Sequence, residues 1–475
     1  MEASGLWMLV AAAALMLATG LPAWVVLTGV ALGFAAGGAA AGVFAPGLMA
    51  ATYSRLVGLL ENDLLQALPL YVLMGTLINR LPLADILFRA GARVLAATGC
   101  GRALSGLGLG VLLAPMSGSV GASASMLTRT VYPRLPAGAP DRNLALVCMS
   151  STLGVVIPPS LVLILLGDAM LRAHTEAANV TGLAGRIINT QDVFHAALIP
   201  AAILLVLCVL IVAWRHRGAA KEETVAPLTT VEWATAVGAV LLIVTLLAGV
   251  ALGRLYAVEA AATGGVGLAL YGLVTRTLGR KVLADVLDNT MAITGALFAL
   301  LVAATFFTLV QRAFGTDRWL AAAFAGFPAG PSFLLAAVLG ALALCAFVLD
   351  AFEMIFVVIP LLIPPLLTRV TDATWVAVLT LLILQASFLV PPLGYAVLMA
   401  RSRIAERVPT KALVLALAPY VAAQALVLLL VIAFPRMLWR DESAEPASSP
   451  AAPVSDEKAR DLFEQQLQQN EEKEK

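Results

Sequence analysis

An apolar run of membrane-spanning length that is broken in its middle constrains this chain more than any other feature. Leu144 to Leu171 is 28 residues long, about 42 Å if helical and enough to cross a bilayer core of about 30 Å. Within it lies MSSTLGVVIPPSLVLILLG, where Gly154 precedes Pro158 and Pro159, and Ser150, Ser151 and Thr152 stand just upstream. A proline inside a helix removes a backbone hydrogen bond and clashes with the turn before it, at about 3 kcal/mol. In lipid the freed backbone groups are tolerated only where protein or a water-filled cavity receives them. A break at this depth is therefore either a packed kink or a binding site.

The same device occurs twice. LLILQASFLVPPLG carries a second pair, Pro391 and Pro392, with Gln385 and Ser387 upstream and Gly394 after it. Each pair follows a polar interruption of an apolar segment at the same distance: the step from Ser117 to Pro158 equals the step from Asp350 to Pro391. One constant offset therefore relates Ser117 to Asp350, Thr152 to Gln385 and the first proline pair to the second. Interrupted hydrophobic segments at matching places in two halves are the sequence mark of a secondary-transporter site.

Composition sets the solvent. With 61% hydrophobic and 12% charged residues and a mean hydropathy of +0.94, a 475-residue chain reads as an all-α polytopic membrane protein. Glu2 is the only charged side chain before Arg55, so the basic start of a signal peptide is missing. Cys100, Cys148, Cys208 and Cys345 lack metal-like spacing and read as small buried hydrophobes. His174, His195 and His216 form no ligand cluster, and no phosphate-binding G-x-x-x-x-G-K-[ST] occurs. Nothing points to a nucleic-acid partner. Residues 441–475 hold ten acidic against four basic side chains, so an acidic, disordered tail of charge −6 follows a membrane body of charge +7.

Along the chain, Leu6–Thr19, Trp24–Phe44 and Leu64–Ile78 read as apolar spans, and 80–102 as an amphipathic interfacial helix. Leu104–Pro115 and Ala122–Tyr132 are short arms around the small-residue tip PMSGSVG, a re-entrant hairpin at about 103–133 or one kinked span. The broken helix at about 144–171, a polar loop at 172–192 and the span Phe194–Trp214 complete a first repeat, 1–220. A second repeat, 221–440, follows the same order. Thr235–Ala251, Leu255–Val274 and Met291–Leu309 are spans, a hairpin occupies about 332–367, a broken helix about 375–402, and Leu413–Phe434 closes the body.

Basic residues orient the molecule. Arg80, Arg89, Arg93, Arg102, Arg134 and Arg142 flank the first hairpin; Arg215, Arg217 and Lys221, then Arg276, Arg280 and Lys281, then Arg401, Arg403, Arg407 and Lys411 form three more clusters. With re-entrant hairpins and crossing broken helices, all four fall on one side, which is cytoplasmic by the positive-inside rule. The two halves are then inverted, and both termini are periplasmic.

Half-helix C-termini and unpaired carbonyls suit Na⁺, and half-helix N-termini suit a carboxylate. Ser117, Ser119, Ser123 and Thr152 can add hydroxyl oxygens, while Gly118, Gly121, Gly154 and Gly394 allow close backbone approach. Helix packing is the alternative role for each of these small residues. Asp350, costly in a bilayer centre at about 2.5–3.5 kcal/mol, either faces a cavity or cation or caps the second arm of its hairpin. Glu353 is its partner or a cavity wall. Asp168 and Arg129, near element ends, read as snorkelling or capping residues.

These segments resemble the large membrane subunit of tripartite ATP-independent periplasmic (TRAP) transporters. The resemblance covers residues 5–435 through TGLPAWVVL, LQALPLYVLMG, SGSVGASAS, STLGVVIPPSLVLILLG, LDAFEMIFVVIPLLIPPL and LVPPLGYAVLM, of which GVVIPPS is the most specific. The serine tip lacks the longer SS-x-A-x-A form, and the acidic tail is an addition. The resemblance implies an elevator-type importer in a bacterial inner membrane. It implies coupling to a Na⁺ gradient, a periplasmic substrate-binding protein, a small organic anion as cargo, and a separate four-helix membrane subunit that is not expected within this chain. It places sodium candidates at Ser117, Ser119, Gly154, Pro158, Asp350, Gln385 and Pro391. Substrate is expected between the hairpin tips, with Ser117, Gly118, Ser123, Thr152, Asp350, Ser387 and Gly394 as candidates. The competing readings are a self-sufficient sodium/organic-anion symporter of the same broad fold, a channel, and an intramembrane enzyme. The last lacks any nucleophile–base set or H-E-x-x-H in the sequence, and no enzyme activity is expected.

Overall fold

A computed structural model describes residues 4–43, 53–55, 57–58, 63–117, 119–136, 138–158, 160–182, 188–216, 227–326, 328, 330–346, 349–390 and 394–438. Every regular element among them is helical. Helices α1 (Ser4–Thr19) and α2 (Ala23–Ala40), turned by Gly20 at φ 63°, form a separate apolar cluster with the far half of a long helix described below, through Met8, Leu27, Ala31 and Phe307. Helix α3 (Asp63–Arg80) meets α4 (Leu83–Val94) at 66°. The amphipathic reading of 80–102 is realised in α4: Ile86, Leu87, Phe88 and Ala90 are buried, and Arg89 and Arg93 are on the polar side.

The chain then folds back on itself. Helix α5 (Gly101–Leu113) leads through a tight turn, Pro115–Ser117, into α6 (Val120–Thr130). A side chain on Gly106 would meet Val131 at 2.6 Å, and the Arg102 guanidinium donates to the Arg134 carbonyl at 3.2 Å. Both pairs are centred near position 118, so the two arms are antiparallel and the hairpin, not the kinked span, is the observed form. Thirteen residues extend about 20 Å, well short of a bilayer core.

Helices α7 (Pro140–Val156) and α8 (Leu161–Thr181) are bent by 40° at the proline pair. Every residue from Asn143 to Val156 is buried, which places α7 at the centre of the protein with no face toward lipid. Helix α8 corrects the expected loop at 172–192: it continues to Thr181 and ends at Gly182, φ 66°. Its charges Asp168, Arg172 and Glu176 recur every four residues, so they share one helix face instead of breaking the helix. Helix α9 (Thr190–Arg215) opens with a capping box, Asn189 and Asp192 accepting each other's backbone N–H.

The second half brings α10 (Thr230–Ala251), α11 (Ala257–Val274) and the 34-residue α12 (Arg280–Ala313), longer at both ends than the expected span. Helix α13 (Thr316–Ala325) precedes the second pair of arms, α14 (Pro331–Cys345) and α15 (Ala351–Leu367). These pack on each other, and Arg369 beyond α15 donates back to the Ala325 carbonyl at 2.8 Å. Helix α15 contains a π-turn, Met354–Val358, where Pro360 denies the Phe356 carbonyl its usual donor four residues on. Helix α16 (Ala373–Ser387), the second break, α17 (Tyr395–Arg401) and α18 (Thr410–Ala433) complete the chain. The starts of α7 and α16, Pro140 and Ala373, are themselves related by the offset that relates the two proline pairs.

The outer helices α9, α10, α11 and α18 expose Leu210, Trp214, Leu241, Leu270 and Leu429, apolar area that water would not tolerate as a continuous belt. Six described helices are long and apolar enough to span a membrane, eight with the two bent pairs. The protein is a multi-pass membrane protein. Its basic clusters gather at one end: Arg142 donates to the Arg215 carbonyl at 3.4 Å, Arg80 approaches Asp285 at 3.6 Å near Arg280, and Tyr132 donates to Glu406 at 3.2 Å. Asp85 binds both Arg89 and Arg134 there, and Arg89 reaches Glu232 on α10.

Candidate functional site

The tip of the first hairpin is built from backbone brought unusually close. A Cβ on Gly75 of α3 would overlap the Ser117 carbonyl oxygen, and one on Gly154 of α7 would overlap the Ala114 carbonyl carbon. Glycine alone permits both approaches. The Ser117 hydroxyl, buried, lies 2.9 Å from the Ala114 carbonyl, 3.1 Å from the Ser119 carbonyl, and in contact with the Ser123 hydroxyl. Three further oxygens, from residues 114 to 123, thus surround the Ser117 hydroxyl. Ser119 starts α6 with extended backbone and no side-chain cap, so the first amides of α6 have no side-chain acceptor from this residue. A cavity of about 170 Å³ opens at this tip, lined by Thr76, Asn79, Ser117, Ser119 and Asn289.

The second break reaches the first hairpin through Tyr395. A Cβ on Gly121 would come within 2.8 Å of the Tyr395 hydroxyl oxygen, so the ring at the start of α17 lies over the start of α6. Asp350 caps α15: it accepts from the Ala351 N–H at 2.8 Å, while its own N–H donates to Glu353 at 3.1 Å. Of the two roles open to it, the cap is the one that these hydrogen bonds fill. Sequence reasoning misses Tyr395; its one signal is a hydroxyl directly after the Gly394 that ends the break.

The remaining candidates divide. Gln385, in the last turn of α16, is fully buried with both side-chain polar atoms unpartnered, and the Ser150 hydroxyl on α7 is buried and unpartnered as well. Such atoms call for a ligand or water. The Thr152 and Ser387 hydroxyls donate back to the Met149 and Leu384 carbonyls at 2.9 and 2.7 Å, leaving only lone pairs to offer. Pro158 is buried in the bend. Ser160, which sequence reasoning also misses, stitches that break: its hydroxyl accepts from Leu163 N–H at 3.1 Å and donates to the Val155 carbonyl at 2.9 Å. Gly394 closes the second break, donating to the Val390 carbonyl at 3.0 Å. Gly118 and Pro391 lie outside the described residues. Among the described residues no three His, Cys, Asp or Glu gather, so the tips offer a cation hard oxygen ligands of hydroxyl, amide, carbonyl and carboxylate type.

A second polar space, about 500 Å³, lies between α8, α12 and α15. Asp168 belongs to it: instead of snorkelling at an element end it stands in the second turn of α8, paired with Arg172 at 3.0 Å. Glu176 and Arg312 pair across the same space at 2.7 Å. Arg129, by contrast, does cap, donating to the Asn79 carbonyl in the last turn of α3 at 2.6 Å.

Helical hairpins whose tips meet broken helices inside an all-α membrane protein define the architecture of a secondary transporter. Two solved structures are similar in fold: the Alcanivorax borkumensis YdaH transporter, TM-score 0.57 at 16% identity over 83% of this chain and 89% of that one, and Neisseria gonorrhoeae MtrF, from a class of antimetabolite efflux pumps, TM-score 0.53 at 13% identity over 85% and 86%. The chain belongs to the tripartite ATP-independent periplasmic transporter family, DctM component, whose profile matches residues 10–437. That profile describes the large membrane component of TRAP systems. The sialic acid TRAP transporter permease protein SiaT of Haemophilus influenzae is 25% identical over 359 residues, 73% of this chain, and the chain spans about half (54%) of that relative's length.

Proposed function

We propose that the chain is the permease through which a Na⁺-coupled TRAP importer carries a small organic anion across the bacterial inner membrane. The observation that carries this reading is the oxygen cluster at Ser117, with Tyr395 of the later part of the chain lying over the start of α6 beside it. Sodium would bind at the hairpin tips, through Ser117, the Ser119 and Ala114 carbonyls, Asp350 and Gln385. The substrate carboxylate would sit between the tips, on the uncapped start of α6. A sodium ion and a carboxylate about 5 Å apart attract by about 3 kcal/mol at an effective dielectric of about 20, so each raises the other's affinity by roughly a hundredfold. The kinship with a sialic acid permease favours acidic sugars among the organic anions.

Family membership supports a small four-helix membrane subunit and a periplasmic substrate-binding protein as partners. The common offset supports two inverted repeats, 1–220 and 221–440, and the short arms support hairpins that enter and leave the membrane on one side. In this reading an elevator motion carries the paired tips across, the gathered basic end is cytoplasmic, and both termini are periplasmic.

The test compares thermal stability of the purified protein in NaCl and KCl at equal ionic strength, since an ion that binds only the folded state raises its apparent stability. A Na⁺-specific rise, lost in Ser117→Ala, is the expected result. Equal stability in both salts, together with uptake by the reconstituted transporter that ignores a Na⁺ gradient, would sink the sodium assignment.

A further inference from the structure

The 500 Å³ space between α8, α12 and α15 is not needed by the hairpin-tip site, yet it has the makings of a site of its own. Five charged side chains line it: Arg55, Asp168, Arg172, Glu176 and Arg312. Three guanidinium groups thus face two carboxylates. Asp168 is engaged by Arg172 at 3.0 Å and Glu176 by Arg312 at 2.7 Å. Arg55 stands close enough to both Glu176 and Arg312 for their charges to act on it. The positive charge in excess is one. The rest of the wall is largely apolar, with Leu301 and Phe356 among it, and the charged groups are its polar handles, Arg172 half exposed and Arg312 and Glu176 about one third exposed. The volume is that of an ordinary small-molecule pocket. The place matters too. Glu176 and Arg312 are at the ends of α8 and α12 remote from the gathered basic clusters, and Phe356 lies six residues beyond Asp350, about 9 Å along α15.

We propose that this cavity is a binding station for a singly charged carboxylate at the outer end of the molecule, with Arg55 and Arg312 as its ionic partners. A guanidinium fork matches a planar carboxylate in two parallel hydrogen bonds, and an excess of one positive charge matches one negative charge. A dianion such as sulfate would overmatch that single excess charge and lacks the planar edge that the fork fits. Glu176 is the internal competitor: it occupies Arg312 until an anion displaces it, which lets the site release its guest again. The station would hold the anion within two turns of the second hairpin tip before it reaches the tips. It therefore rests on the reading of the chain as an organic-anion importer.

The experiment titrates N-acetylneuraminate and lactate into the purified protein by calorimetry at fixed Na⁺ and ionic strength, with Asp350→Ala as background to remove the tip site. Binding of either monocarboxylate, weakened at least tenfold by Arg55→Gln and by Arg312→Gln and largely retained in Arg55→Lys, is expected. Glu176→Gln should tighten binding about tenfold because it releases Arg312. That sign separates an anion site from structural damage, which weakens binding in every variant. Unchanged affinity in Arg55→Gln, weaker or equal affinity in Glu176→Gln, displacement by sulfate at equal concentration, or no binding below about 10 mM would each overturn the station. Uptake by the reconstituted wild type decides the importer reading separately: uptake with a failed titration removes the station alone, and a successful titration without uptake removes the importer and leaves the site.

Discussion

Asp350 combines two demands on one side chain. As a cap it accepts the Ala351 N–H at 2.8 Å, and as a carboxylate it is proposed to hold sodium. Removing the oxygen and removing the charge are therefore different experiments. Asp350→Ala should lower stability by about 1 kcal/mol through the lost cap and abolish Na⁺-dependent uptake. Asp350→Asn, as good a cap as Asp, should restore most of that stability and still fail to transport. Thermal melts in detergent beside uptake in proteoliposomes read the two effects apart, and full uptake by Asp350→Asn would reduce the residue to a cap. Ser117 and Asp350 were legible in the sequence because a polar atom in an apolar run stands out. Gly75 and Tyr395 were not, nor was the unpartnered state of Ser150, since these are set by what faces them from α5, α6 and the hairpin tip, which no local pattern encodes.

At the scale of elements, the breaks were readable and the helix ends were not. Proline pairs announce where α7 and α16 must stop, and the structure bends or interrupts the chain there. The polar stretch after Gly167 misled because charges usually mark loops, whereas a four-residue spacing turns them into one face of α8. The break itself depends on Ser160, whose single hydroxyl serves an amide on one half and a carbonyl on the other. Ser160→Ala should cost about 1–2 kcal/mol by leaving both groups unsatisfied in a buried place. It should also blunt the Na⁺-dependent stabilisation, because α7 and α8 would no longer be held at one angle. A melt within about 0.5 kcal/mol of wild type, the spread of an inconsequential surface substitution, would show that the proline pair alone fixes the bend.

For the whole molecule, the gathering of the basic clusters at one end predicts which residues meet which compartment. Val94, at the end of α4 beside those clusters, is 67% exposed, and Val180, at the far end of α8, is 72% exposed. In a background with its four cysteines replaced, a membrane-impermeant thiol reagent applied to spheroplasts should label Val180→Cys and leave Val94→Cys untouched until the membrane is opened. The reverse pattern would invert the orientation. The halves are also not separable modules, since α17 of the second packs on α6 and α7 of the first. Gly121 receives the Tyr395 ring only after more than half of the chain has been made in between. At about 5–20 residues per second that takes roughly 14–55 s, during which the start of α6 lacks its cover. A chain cut short anywhere in that interval presents the membrane's surveillance proteases with an unfinished opening, so early termination should leave a short-lived fragment and not half a transporter.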